Sequence, residues 1–86
     1  MNLHLVLTGH WFDETVAGRK RIEYRALKPI WLKRIWLRRV AIQTVTFSRG
    51  YTSTKSIAYR VTKIDMGPCP IPGWEGAYFR IHFTAL

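Results

Sequence analysis

Residues 55–64 alternate apolar and polar side chains well: Ile57, Tyr59 and Val61 fall on one side, Ala58, Arg60 and Thr62 on the other. A period of two belongs to a half-buried β-strand. The same pattern recurs in shorter runs. Leu3, Leu5 and Leu7 share a face in a first strand, which Gly9 breaks. Residues 41–47 alternate and are rich in Val, Ile and Thr, and residues 78–83 turn Phe79, Ile81 and Phe83 inward. Residues 20–25 complete the set, with Ile22 and Tyr24 on one face and Arg21, Glu23 and Arg25 on the other.

Two stretches read as helix. Residues 10–17 suit a short helix, with Asp13 and Glu14 near its amino end and Gly18 at the stop position. Pro29 suits the first turn of a second helix reaching Arg39, where Trp31 and Trp36 serve the core. Residues 48–53 form a turn-rich loop, and residues 67–73 leave the sheet because their prolines remove ladder donors. Together these elements predict an α+β fold: one domain over residues 1–86, a small curved or closed β-barrel of five strands with two helices.

Composition narrows the setting. The chain has 86 residues, 48% of them hydrophobic, which supports one compact core and argues against disorder. The lone Cys69 has no internal partner, and no Cys/His spacing suits a metal, so neither a metal nor a cofactor is expected. No secretory leader and no apolar run of membrane-spanning length is seen, which predicts a cytoplasmic protein with no membrane partner. The second helix is basic and amphipathic, but it is short for a membrane surface.

The net charge is +9. Nine of the fourteen Lys and Arg lie between Arg19 and Arg39, opposed there only by Glu23. Such a field attracts polyanions, of which nucleic acid is the commonest in the cell. RNA or a nucleoside is the expected partner, with DNA as the other polyanion. Arg21, Lys33, Arg34 and Arg38 are the candidates for a nucleic-acid backbone. Arg49 and Tyr51 share a loop where one base could stack beside a phosphate contact.

The densest cluster is Gly18, Lys20, Glu23 and Arg25. Glu23 and Arg25 share a strand face, so an ion pair or a shared ligand is feasible. Lys20 has the opposite parity and joins them only from the turn before regular pairing, or at a bulge. Such a group either closes one end of a barrel or lines a pocket. An arginine fork holds a phosphate or carbonyl in a set orientation, and a lysine beside a carboxylate relays protons.

The spacing G-x-K-x-x-E-x-R at Gly18, Lys20, Glu23 and Arg25, between first helix and second strand, resembles the signature of the ASCH family. Residues 11–18 look like that family's first helix. Residues 24–31 and 44–51 are similar to a short branch found in bacterial and phage genomes. The resemblance implies a PUA-like barrel with a cleft beside the motif, associated with RNA or modified nucleosides. Lys20, Glu23, Arg25, Arg49 and Tyr51 would bind the ligand, Glu23 accepting from a base's exocyclic amine.

The resemblance leaves open whether the chain is an enzyme. One bacterial branch looks like amidohydrolases that remove the acetyl group of N4-acetylcytidine. Lys20 matches the lysine of that branch, but Glu23 stands where it has threonine, and the downstream acids Asp65 and Glu75 have no matching context. Lys20 and Glu23 would be the catalytic pair of such a hydrolase. A third reading is a phage-type inhibitor, whose basic face occupies a partner's acidic or nucleic-acid-binding surface.

Overall fold

The structure, a computed structural model, describes every residue except Ser53, so the end of the expected 48–53 loop lies outside the described residues. In chain order the elements are β1 (Asn2–Leu7), α1 (Gly9–Val16), β2 (Ile22–Ala26), α2 (Pro29–Arg34), a 3-10 turn (Trp36–Arg38), β3 (Thr44–Arg49), β4 (Ser56–Pro68) and β5 (Ala77–Ala85). The five strands lie in the order β1-β3-β4-β5-β2. β1 runs parallel to β3, and every other neighbouring pair is antiparallel. The fold is thus α+β, as the alternation predicts. The sheet curls into a half-barrel, and no ladder joins its edge strands β1 and β2 among the described residues.

Alternation puts the core on the concave face. Leu5, Val45, Phe47 and Ile81 are essentially inaccessible to solvent, and Phe47 meets Phe83 edge-on at 5.1 Å. Burying each such side chain contributes roughly 1.5–3 kcal/mol. Phe12 of α1 and Ile35 join the same cluster.

β4 changes parity midway. Val61 faces Phe83, but Lys63 faces His82 and Ile64 faces Ile81. Thr62 is the extra residue, and its hydroxyl donates to the His82 carbonyl at 3.2 Å. Before this bulge the odd positions Ile57, Tyr59 and Val61 share the core face. After it Ile64 does, and Lys63 and Asp65 turn to the convex face opposite His82 and Arg80.

Four expectations need correction. Residues 67 and 68 do not leave the sheet: Gly67 pairs with Tyr78 and Pro68 with Ala77. The Arg80 guanidinium lies over Gly67, and Pro68 is the last residue of its strand, where the missing donor costs little. Likewise, β3 continues through Ser48 and Arg49, which pair with Val6 and Leu7, so the loop starts later than its turn residues suggest.

In α1, helix geometry begins at Gly9, so Asp13 and Glu14 fall in the second turn and no acid occupies the first. They form ion pairs instead, Asp13 with Arg49 and Glu14 with Arg19. The second helix stops at Arg34. Ile35 departs from helical geometry (φ −112°, ψ −64°), and one tight turn follows. That break drives Ile35 fully into the core. Trp31 and Trp36 reach it only in part, and Ile30, Leu37 and Val40 are left exposed.

Candidate functional site

β2 turns its charged face inward. Glu23 lies opposite Ile81 and Arg25 opposite Phe79, so both point to the concave side, while Ile22 and Tyr24 face outward beside His82 and Arg80. Glu23 is only 5% exposed. A buried carboxylate needs partners, and the chain supplies two. Gly18, at φ +81°, reverses the chain after α1 and sets Lys20 on the turn before the ladder begins. From there the ammonium donates to Glu23 Oε1. Arg25 donates to Oε2 through Nε at 2.8 Å and Nη2 at 2.6 Å. The three motif side chains therefore converge.

This arrangement leaves specific capacity unspent. A carboxylate offers about four acceptor sites. Among the described residues Glu23 uses three of them, one on Oε1 and two on Oε2, which leaves one position on Oε1. Lys20 has three donors, and one of them meets Glu23. Arg25 Nη1 donates to no group among the described residues.

Arg25 also does structural work. In β1 the odd residues bond to the β3 side: Gly50 N donates to Leu7 O at 2.8 Å, and Gln43 N to Met1 O at 3.0 Å. The carbonyls of His4 and Val6 therefore turn to the open edge. Arg34 Nη2 reaches His4 O at 2.9 Å, and Arg25 Nη2 reaches Val6 O at 3.1 Å. Two guanidinium groups thus cap an edge that would otherwise invite another strand. Trp31 sits between them, 4.8 Å from Arg25 and 5.2 Å from Arg34.

A cleft of about 360 Å³ occupies the seam between β1 and β2. Val6 and Thr8 form one bank; Glu23, Arg25 and Ala26 form the other, with Lys20 beside them. Its walls are aromatic: Trp11, Tyr24, Trp74 and Tyr78. Trp11 lies 5.8 Å from the Lys20 ammonium, and Trp74 leans on Tyr78 at 5.5 Å from the loop after β4. Burial, with Cys69 adding to it, raises the Tyr24 phenol above its ordinary range.

The remaining candidates lie apart from the cleft. Arg49 pairs with Asp13 at 3.2 Å, and Tyr51 is 92% exposed; neither lines the seam. Lys33 and Arg38 are exposed on α2 and the 3-10 turn, while Arg34 is engaged with β1. Arg21 is exposed on the turn before β2.

One polar cluster escapes sequence reasoning. On the convex face Asp65 accepts from Arg80 Nε and Nη2, each at 2.7 Å, with His82 at 3.1 Å and Lys63 at 3.4 Å. Arg80 first, then His82, holds the Asp65 carboxyl well below the usual carboxylate range. The signal was the break in apolar parity between Val61 and Ile64.

The fold and site define a class: a small mixed-sheet half-barrel with a charged, aromatic-walled seam. Comparisons with protein-family models, curated proteins and solved structures find no match to this chain.

Proposed function

We propose that the seam cleft binds a nucleobase, and that this chain is an RNA- or modified-nucleoside-binding domain of the PUA-like kind. One observation carries the reading. A buried carboxylate with a single open acceptor site stands beside unspent lysine and arginine donors, under aromatic walls. A base offers an exocyclic amine to the first, a ring carbonyl to the second and a π-face to the third. The resemblance of Gly18, Lys20, Glu23 and Arg25 to the ASCH signature points the same way. The basic residues on α2 add long-range attraction for a polyanion.

Tryptophan fluorescence tests this directly, because Trp11 and Trp74 border the cleft. Titration with cytidine and N4-acetylcytidine is expected to give saturable quenching that K20A abolishes. RNA affinity is expected to fall steeply between about 50 and 200 mM salt. Absence of quenching, together with salt-independent binding, refutes the reading.

A second reading rests on the direct contact of Lys20 with Glu23 in the cleft: a small amidohydrolase acting on an acylated nucleoside. Lys20 would carry the proton and Glu23 would partner it. Release of cytidine from N4-acetylcytidine, lost in K20A, supports it; binding without release excludes it.

A further inference from the structure

A second cleft of about 380 Å³ adjoins the first and shares Trp11, Lys20, Tyr24 and Ile71 with it. Both volumes exceed the roughly 300 Å³ at which ligand pockets begin. The second cleft adds Arg19 and Arg21 from the turn after α1 and Pro70 from the loop after β4.

Charge differs between the two. The seam holds Lys20 and Arg25 against Glu23. The second cleft holds Arg19 and Arg21 against Glu14 alone, with Lys20, already paired to Glu23, in the shared wall. Glu14 is taken by Arg19. Arg21 makes one long contact, to the Gly18 carbonyl at 3.4 Å, and pairs with no carboxylate among the described residues. A neutral nucleoside offers this surplus no opposite charge; a phosphodiester does.

We infer that the second cleft is a subsite for the neighbouring nucleotide, so that the ligand is a single-stranded oligonucleotide laid across two adjoining clefts. This rests on the nucleobase reading of the seam. One base enters the seam. Its phosphate passes Lys20 and meets Arg21, and the next base lies against Trp11, Tyr24 and Ile71. The shared wall gives the spacing, and the turn 19–21 gives the charge where the backbone crosses.

The test compares cytidine with the dinucleoside monophosphate CpC on the full chain, by fluorescence and calorimetry, for wild type, K20A and R21Q. CpC is expected to bind about ten-fold tighter than cytidine at low salt, with that advantage largely lost in R21Q and in about 0.5 M salt. Arg21 is exposed, so R21Q is expected to fold, which circular dichroism checks. Equal affinity for cytidine and CpC overturns the inference and leaves the seam reading standing. An advantage that survives R21Q overturns the placement of the phosphate. Binding of both ligands unaffected by K20A, or no binding of either, overturns the seam reading and the inference together. Deoxy-CpC bound as tightly as CpC supports the two-cleft path and assigns it to single strands of either sugar.

Discussion

Arg25 and Val6 join the two edges of the sheet: Nη2 of the guanidinium on β2 donates to the Val6 carbonyl on β1 at 3.1 Å. Among the described residues no backbone ladder makes that connection. The same guanidinium holds Glu23 through two bonds. One side chain thus fastens the seam and lines the cleft. Stability and the proposed binding therefore meet at this position, and substitutions separate them only by chemistry.

Arg25→Lys keeps the charge but gives up the planar fork, so it cannot meet Glu23 and Val6 together. It is expected to lower unfolding free energy by about 1.5–3 kcal/mol, the range for losing hydrogen bonds to a charged group. Urea denaturation measures this. A midpoint unchanged from wild type would show that the seam is held elsewhere.

Glu23 and Lys20 are both largely buried, with side chains 7% and 9% exposed. Removing one partner strands the other charge, so Glu23→Ala is expected to cost about 3–5 kcal/mol. Lys20→Met in that background then removes a cation that has lost its carboxylate, and its added cost is expected to be small. A double-mutant cycle reads this as strong coupling. Strict additivity would contradict the contact.

Asp65 sets an acid limb. Its pKa in the folded chain is depressed, chiefly by Arg80, from an unfolded value near 3.8. A depressed carboxylate contributes its full stabilisation above the unfolded value and loses it as pH falls through the folded one. Thermal unfolding is therefore expected to plateau above about pH 5 and to decline below about pH 4. D65N is expected to lower the plateau and flatten the decline. An acid limb of the same slope in D65N would assign it to other carboxylates.

Gly67 permits that pair. A Cβ at this position would stand 2.6 Å from Arg80 Cζ, and the guanidinium cannot swing away without breaking its bonds to Asp65. Gly67→Ala is expected to destabilise by about 1–3 kcal/mol. In a D65N background the arginine is freer to move, and the same substitution is expected to cost less. Equal costs in both backgrounds would place the strain in the backbone instead.

Legibility followed local chemistry. β1 and β5 were readable because three apolar side chains in strict alternation leave one face to bury. The convergence of Lys20, Glu23 and Arg25 was readable as a condition, since Gly18 places Lys20 on a turn rather than in the strand. Which face of β2 turns inward was not readable from polarity. A charged face is buried there only because two cations neutralise one carboxylate, and that depends on packing. The bulge at Thr62 was hidden because residues 55–64 alternate cleanly up to it, and its effect appears only in what Asp65 then meets. The break at Ile35 was hidden too: apolar residues all round a helix do not say which one the core will take.

Substitution of Trp74 tests the proposed binding apart from folding. It is 38% exposed, leans on Tyr78 and borders the seam without touching the Glu23 cluster through any hydrogen bond of the described residues. Truncating a half-exposed ring removes little buried area, so W74A is expected to shift the urea midpoint only slightly. Loss of a stacking surface costs about 1–3 kcal/mol per base, which is roughly a 5- to 150-fold fall in affinity for cytidine or CpC. The Trp11 signal still reports the titration in that variant. Affinity equal to wild type would mean that the base does not stack on Trp74 and that the loop after β4 takes no part in the proposed binding.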